Sequence, residues 1–423
     1  MMRKELLGRM FLTAAMIMIM SMLAGACSKN NGPENPEDNT GQTTGPGGNG
    51  SGDQGNSGNE GGSGDEGGNE GGTSGGDHGG SGDSGDQGGS GGSGDQGDQP
   101  KPQITANSWM TAIDDDTKIA MLTIPGTHDA ATSTCAGPGK CQTLTISGQL
   151  EHGVRAFDLR PTMDNNSTLG NIYHSILDTG VSMGDAMEYF DSFLKAHPGE
   201  GIIVIMRYES ERQIFGSIAE DNYKTAMKNF LWDNRIYQSR MAAFNKSMTM
   251  KDLRGKILII SRNDLSPVST FETAYTQWSH SNSVGEALQI YGTGGLGRIY
   301  VQDMYSAEKN GNSSEADFLA KKKELVCKLL DITVPFREYE QNNWVINYCS
   351  GYAGSSFASD SYAKNAASTN PAALEHIQAH TGKGFTGIVM MDYAGTDTYE
   401  VGGSTFSVSG KSLTEALIMN NFQ

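Results

Sequence analysis

The chain has 423 residues and a formal net charge of −18 at pH 7. Thirteen of its carboxylates lie between Glu34 and Asp98, a stretch without lysine or arginine, so the rest of the chain is only mildly acidic. Because there is neither a basic stripe nor an alternation of basic and aromatic residues, the composition argues against a nucleic-acid partner.

Residues 1–27 have the pattern of an export signal. Basic residues at positions 3, 4 and 9 precede an apolar run that ends at Leu23. The run is too short and too quickly followed by polar sequence to be a spanning helix. Small residues directly before Cys27 resemble the lipobox of bacterial lipoproteins, although the usual leucine falls one position early. We expect an exported lipoprotein anchored at the outer membrane or cell surface through Cys27, and plain secretion is the alternative.

Residues 28–104 are expected to form a disordered tether. They are rich in Gly, Ser, Asp, Glu, Gln and Asn, so they have almost nothing apolar to bury and their carboxylates repel one another. One interpretation is a spacer that lifts the folded part away from a membrane, and neutral filler is the other.

Residues 105–423 are predicted to be one folded domain of the α/β class. Eight short apolar runs, bounded by turn residues, are typical of parallel strands that are buried on both faces. They lie at 119–124, 156–159, 171–173, 202–206, 256–260, 299–302, 344–348 and 387–391.

Helical patterns separate several of these runs. They lie at 184–196, 223–232, 315–330 and 371–380. In the last of them Pro371 suits a first helical turn and Asn370 suits a cap. This alternation predicts a (β/α)8 TIM-type barrel, irregular where connections are too short for a helix, and an open doubly wound sheet is the alternative.

Charged and polar side chains stand at or just after the carboxyl ends of the runs. They are His128, Asp158, Arg160, His174, Arg207, Arg262, Asp303 and Asp392. A barrel gathers these strand ends into one mouth, so we expect the side chains to converge there. Two histidines can divide the roles of general base and general acid, and a guanidinium between them can neutralise a phosphate. The pattern therefore indicates phosphodiester cleavage.

Four further cysteines in an exported chain permit two disulfides. Closeness in sequence predicts the pairs Cys135–Cys141 and Cys327–Cys349. A zinc site is the alternative, and the absence of a Cys-x-x-Cys spacing disfavours it.

Several segments between about residues 108 and 392 resemble bacterial phosphatidylinositol-specific phospholipase C of the X-domain type. The most specific are Ile-Pro-Gly-Thr-His-Asp-Ala at 124–130 and Arg-Ala-Phe-Asp-Leu-Arg at 155–160. Shorter matches at 109–111, 173–174, 254–257 and 301–305 are weak individually.

The resemblance implies a two-stage reaction on an inositol phosphodiester. His128 would take the proton of the inositol 2-hydroxyl, and His174 would protonate the departing diacylglycerol oxygen. The product would be a 1,2-cyclic inositol phosphate, which is then slowly hydrolysed. Arg160 would stabilise the charged phosphate oxygens in place of a metal, so neither a metal nor another cofactor is expected. Asp392 would orient His128, and Asp129 would couple to Arg160 and His174.

Other residues are assigned to the headgroup by the same resemblance. Asp158, two residues before the arginine, would either pair with it or act directly. Arg207, Arg262 and Asp303 would bind the inositol hydroxyls, and Tyr305 would stack on the ring. Arg207 stands where relatives have a lysine, which changes the donor geometry and leaves the exact headgroup open.

The expected partners are a phosphatidylinositol or glycosylphosphatidylinositol-type lipid and a membrane surface, with the protein acting as a monomer. Trp278 and Tyr275 either insert at the interface or belong to the core. Two alternatives remain, a phosphodiesterase for another lipid headgroup and a surface lipoprotein that binds glycans or inositol lipids without cleaving them.

Overall fold

The computed structural model describes residues 104–164, 168–209, 220–266, 273–278, 287–306, 314–333, 341–354, 358–380 and 385–423. The predicted export signal, Cys27 and all but the last residue of the predicted tether lie outside the described residues.

The strands follow one another along the described chain. They are β1 (Thr123–Thr127), β2 (Ala156–Leu159), β3 (Pro161–Asp164), β4 (Thr168–His174), β5 (Leu177–Ser182), β6 (Ile202–Met206), β7 (Ile257–Ser261), β8 (Ala274–Tyr275), β9 (Ala287–Gly292), β10 (Gly295–Gln302), β11 (Asn343–Tyr348), β12 (Gly387–Met391), β13 (Thr398–Val401) and β14 (Ser404–Ser407).

The α-helices are α1 (Ile146–Glu151), α2 (Met183–Ala196), α3 (Glu220–Met227), α4 (Arg235–Arg240), α5 (Met250–Leu253), α6 (Glu315–Thr333), α7 (Ser361–Ala379) and α8 (Gly410–Met419). Short 3-10 turns lie at Ala106–Ala112, Ile119–Met121, Thr132–Thr134, Gly137–Gly139 and Asn420–Phe422, and a π turn at Lys228–Trp232 continues α3.

Nine strands close into a barrel in the order β1-β12-β11-β10-β9-β8-β7-β6-β2. Eight are parallel, and β9 runs antiparallel to both β8 and β10. The predicted TIM-type barrel is confirmed, in an irregular form. The run at 171–173 is not a barrel strand, because it belongs to β4 in a separate sheet of order β3-β4-β5. The eighth parallel strand is instead β8, which is too short to leave an apolar run.

Seven of the nine barrel strands are buried on both faces, and the exceptions are β9 and β10. On β6, Ile203 and Ile205 pack in the barrel interior, whereas Ile202, Val204 and Met206 pack in the layer that also contains residues of α2 and α8. Side chains alternate between these two cores because successive residues of a strand point to opposite faces.

The predicted start of the last long helix is wrong. The helix α7 begins ten residues before Pro371, which lies inside it, and the Asn370 side chain donates to the Asp392 and Val408 carbonyl oxygens at 3.0 Å instead of capping. Burial of the first half of the helix, which includes Tyr362, Ala363 and Ala366, outweighs the helix-breaking effect of the proline.

Part of the sequence that resembles the phospholipase family lies at the strand-start end of the barrel. Arg155 pairs with Glu200 at 2.9 Å, with both side chains fully buried, and Glu200 accepts the Thr111 amide at 2.7 Å. The Trp109 indole donates to the Gly153 carbonyl at 2.9 Å. These contacts hold residues 109–111 against the barrel, so Trp109, Arg155 and Glu200 have a structural role. No helix among the described residues is long and apolar enough to span a membrane.

Candidate active site

His128 lies directly after β1, between two carboxylates at the mouth of the barrel. Its Nδ1 is 2.9 Å from Asp392 Oδ1, and its Nε2 is 3.1 Å from Asp129 Oδ2. Burial acts to lower the pKa of His128, but the two carboxylates outweigh it and raise the pKa above 6.5. Burial raises the pKa of Asp392 above its usual value, although the adjacent histidine opposes that rise.

Asp129 joins three positively charged or chargeable groups. Besides His128, its Oδ2 lies 3.4 Å from His174 Nε2, and its Oδ1 lies 3.1 Å from Arg160 Nε. Burial favours a high pKa for Asp129, but the charges of Arg160, His128 and His174 outweigh it and hold the pKa at about 2. The residue has φ 43°, a left-handed backbone that non-glycine residues seldom adopt and that is common at functional sites.

Arg160, directly after β2, is held by carboxylates on more than one side. Its Nη2 donates to Asp158 Oδ2 at 3.0 Å, and its Nε faces Asp129. Despite burial, these two carboxylates and Glu209 raise the pKa of Arg160 well above its usual value, so it stays charged. The sequence left open whether Asp158 pairs with Arg160 or acts directly on the substrate, and the structure shows the ion pair.

His174 reaches the mouth from outside the barrel, because the sheet that contains β4 directly follows Arg160. The Tyr173 amide donates to the Arg160 carbonyl at 3.0 Å, and this bond sets the His174 side chain next to that of Arg160. His174 Nδ1 lies 3.0 Å from the Gly139 carbonyl, and its Nε2 lies 3.0 Å from the Tyr362 hydroxyl. A carbonyl only accepts, so Nδ1 carries a hydrogen and Nε2 is the atom that exchanges a proton.

A second cluster of the predicted residues stands across the mouth. Arg262 Nη2 lies 3.1 Å from Asp303 Oδ2, which also accepts the Trp278 indole N–H at 2.8 Å. The Arg262 guanidinium is 4.2 Å from the centre of the Trp278 ring, a cation–π contact. Tyr348 lies between this cluster and His128, whose ring is 6.3 Å away edge to face.

Several buried polar atoms of the mouth have no hydrogen-bond partner among the described residues. They include Asp158 Oδ1, the Tyr348 hydroxyl, Asp392 Oδ2 and Arg262 Nε. A buried polar group without a partner is costly, and such groups concentrate where a ligand completes the network.

The two remaining predicted residues lie at the edge of the site. Arg207 follows β6, and its charge contributes to the low pKa of Asp129. Tyr305 packs edge to face on Tyr352 at 5.7 Å, and Tyr352 packs in the same way on Tyr362 at 6.2 Å. Tyr305 is therefore connected to the His174 side of the mouth through aromatic contacts.

Sequence reasoning missed Tyr362, Tyr348 and Glu209 as site residues. Glu209 follows β6 as Arg207 does, so its position after a strand was a usable signal. Trp278 was considered only as an interface or core residue. Tyr275 is buried and stacks on Tyr291 with ring centres 4.8 Å apart, which agrees with the core interpretation.

The predicted disulfides are wrong. Each of the four residues is a thiol in the structure: Cys135, Cys141, Cys327 and Cys349. The amides of the first two donate to the carbonyl and hydroxyl oxygens of Thr132 at 3.0 and 3.1 Å, which organises their loop without a crosslink. On α6, the Cys327 sulfur faces the Ala372 carbonyl at 4.0 Å, whereas Cys349 is buried after β11.

Three residues in the mouth lie close enough to one another to hold a metal ion. Ligand atoms of His128, Asp129 and Cys141 lie within 4.8 Å of one another. Burial and the nearby carboxylates Asp392 and Asp129 raise the pKa of Cys141 well above its usual value. The sulfur therefore stays a thiol, a poor ligand, and the donor set does not favour a metal.

Three comparisons agree with this geometry. Residues 124–263 match the family model of the phosphatidylinositol-specific phospholipase C X domain. A 1-phosphatidylinositol phosphodiesterase of Listeria monocytogenes is 36% identical over 171 residues, which are 38% of this chain and 51% of the relative. The chain thus spans about half the length of that relative. A protein of the same description from Staphylococcus aureus is 25% identical over 299 residues, covering 68% of this chain and 88% of the relative.

The fold is shared with a solved structure. A point mutant of the phosphatidylinositol-specific phospholipase C from Staphylococcus aureus superposes with a TM-score of 0.59 at 24% identity, over 75% of this chain and 96% of that one. Residues 124–263, which match the family model, contain β2, His128, Arg160, His174 and all of β1 except Thr123. In this segment the chain is therefore similar to the X domain of phosphatidylinositol-specific phospholipase C, and it shares the barrel fold of that solved structure.

Proposed function

We propose that this protein is a phosphatidylinositol-specific phospholipase C, which splits the lipid into diacylglycerol and a 1,2-cyclic inositol phosphate. One observation carries the proposal: His128, His174 and Arg160 all contact the single carboxylate Asp129, at 3.1, 3.4 and 3.1 Å. Two imidazoles and a guanidinium therefore face one small volume, as a phosphodiester between a base and an acid requires.

His128 is the general base. Asp392 accepts its Nδ1–H, so Nε2 takes the proton from the inositol 2-hydroxyl while that oxygen attacks phosphorus. The bond from phosphorus to the diacylglycerol oxygen breaks, and the leaving oxygen receives the proton of His174 Nε2. Hydrolysis of the cyclic ester uses the same pair with exchanged roles, which restores both histidines to their first protonation states.

Arg160 stabilises the charge that builds up on the non-bridging oxygens. Asp129 and Asp158 hold the guanidinium in place, so little reorganisation is needed when the charge develops. A fixed guanidinium can do what calcium does in metal-dependent relatives, and we therefore propose that the reaction needs no metal.

The headgroup binds across the mouth, toward the Arg262 cluster. Arg262, Asp303 and Arg207 offer donors and acceptors to the ring hydroxyls, and Tyr305 adds an aromatic face at the rim. The unpartnered hydroxyl of Tyr348 supports a polyhydroxylated ligand, because each inositol hydroxyl can both donate and accept.

The N-terminal sequence supports an extracellular setting. We propose that residues 1–27 direct export, that Cys27 is lipidated, and that residues 28–104 space the barrel from the membrane to which the lipid is attached. The barrel then acts as a monomer at a lipid surface, on free phosphatidylinositol or on a glycosylated form.

Phosphorus NMR on phosphatidylinositol micelles in EDTA tests this function. We expect the parent to form a cyclic inositol phosphate resonance, His128→Ala to form none, and His152→Ala, which lies at the end of α1, to behave like the parent. Product that requires added calcium would refute the metal-independent role of Arg160. No product under either condition would refute the lyase and favour another headgroup or a binding protein.

A further inference from the structure

A cluster of two histidines and one aspartate lies away from the mouth. His376 and His380 lie at the C-terminal end of α7, and Asp331 lies on the neighbouring helix α6. The helix α7 begins next to Ala353, after the carboxyl end of β11, and ends shortly before β12 starts. The cluster is therefore at the strand-start end of the barrel, opposite the end that contains His128.

The spacing of the three side chains suits a metal ion. One ligand atom from each lies within 4.8 Å of the others. His376 Nε2 is 2.6 Å from Asp331 Oδ1, a hydrogen bond that a bound ion would replace, and the two imidazole rings stack with centres 4.2 Å apart, so the rings would rotate to bind one ion. Residues four apart on a helix share one face, so both rings project toward α6 together.

A hydrogen bond fixes the orientation of the second ring. His380 Nδ1 lies 2.8 Å from the His376 carbonyl, which can only accept. Nδ1 therefore carries the hydrogen, and the lone pair of the neutral ring is on Nε2. Such a bond from the other ring nitrogen is the usual support of a metal-bound histidine. The partial negative charge at the end of α7 adds a further preference for a cation.

The surroundings leave room for one more ligand. The two histidines line a small pocket whose other walls combine apolar side chains such as Leu330 and Phe385 with polar ones such as Asn420. The Asp331 side chain is 63% exposed, so its side of the cluster is open to water. A metal there would have three protein ligands and water in the fourth position.

We propose that Asp331, His376 and His380 bind a divalent transition-metal ion of the zinc type. Two imidazole nitrogens and one carboxylate oxygen suit Zn²⁺, Co²⁺ or Ni²⁺ better than Ca²⁺ or Mg²⁺, which prefer oxygen ligands only. The ion would link α6 to α7 and stabilise the strand-start end of the barrel. It takes no part in the reaction at the mouth, so the proposal is independent of the proposed function.

Cobalt titration of the purified, EDTA-treated protein without a histidine tag tests the site. We expect one Co²⁺ per chain, seen as visible d–d absorption that Zn²⁺ displaces. Zinc at 100 times its dissociation constant should raise the melting temperature by about 4 °C. Asp331→Asn, His376→Ala and His380→Ala should each weaken binding by at least about tenfold.

His197→Ala is the matched control, because His197 lies at the end of α2 with its ring 4.7 Å from Phe193 but has no place in the cluster. Far-ultraviolet circular dichroism and the melting temperature without added metal verify that each variant is folded. Absence of cobalt binding overturns the proposal. So does binding that survives His380→Ala and is lost in Cys141→Ser, which would place the ion in the mouth.

Discussion

Substituting Asp129→Asn removes one of the two carboxylates that flank His128 without changing the size of the side chain. The Asp129 carboxylate lies 3.1 Å from His128 Nε2, and its side chain is only 2% exposed, so water screens the interaction little. An opposite charge at such a distance raises the pKa of a base by about 1–3 units. Asp392 remains in the variant, so we expect the pKa of His128 to fall by at least about one unit.

The lower pKa of His128 should appear in the acid limb of the pH profile of kcat/KM. A general base works only when neutral, so activity is lost as pH falls through the pKa of His128, which is raised above 6.5 in the parent. In Asp129→Asn that limb should move to lower pH, and each unit of movement raises the neutral fraction in acid about tenfold. The plateau itself should fall about 10²-fold, because Arg160 and His174 lose a shared partner.

Initial rates on a soluble short-chain phosphatidylinositol, from about pH 4.5 to pH 9, measure the limb. Asp158→Asn is the matched control, since Asp158 contacts Arg160 at 3.0 Å and forms no ion pair with His128 or His174 among the described residues. Asp158→Asn should lower the plateau of kcat/KM and leave the pH of the acid limb unchanged. An unmoved limb in Asp129→Asn, or an equal shift in both variants, would refute the electrostatic reasoning.

Three further substitutions have defined outcomes. Tyr362→Phe removes a hydrogen bond that competes with the leaving oxygen for His174 Nε2, so kcat/KM should rise about fivefold, and a fall would contradict that competition. Arg160→Lys keeps the charge but not the fork that contacts two carboxylates, so kcat should fall about 10²–10³-fold in steady-state assays with KM little changed. Burial lowers the pKa of Lys322 from 10.5 to about 8, so its charge opposes folding at pH 7. Lys322→Met should therefore raise the free energy of unfolding by about 2 kcal/mol at pH 7 in urea titrations, after allowing for the lost bond to Gln302. That gain should shrink as pH rises from about 8 toward 10.5, because the folded-state lysine is then neutral while the unfolded-state lysine loses its proton, and a gain that does not shrink would argue for packing instead.

The barrel was predictable because its signals are local. A parallel strand buried on both faces leaves an uninterrupted apolar run, and a polar residue directly after the run falls at the mouth. This reasoning placed His128, Arg160 and Asp392 correctly. It failed for β8 and β9, since a two-residue strand leaves no apolar run and only one of the six residues of β9 is buried.

The residues that sequence reasoning missed depend on contacts between distant parts of the chain. Tyr362 meets His174 across 188 positions, and it lies in the half of α7 that was not predicted to be helical. Its position follows from how α7 packs against the barrel, which no local pattern records. The disulfide prediction failed for a related reason, because closeness in sequence says nothing about where two sulfur atoms point.

The arrangement around Asp129 also explains why a mouth so rich in buried charge is stable without substrate. In the free protein its carboxylate contacts both imidazoles and the guanidinium. Under the proposed function these are the same three groups that a phosphodiester anion must contact. Asp129 thus offsets, in the free protein, the cost of keeping cationic groups close together away from water. Because these contacts already hold the histidines and Arg160 in position, the three groups need little reorganisation before the reaction.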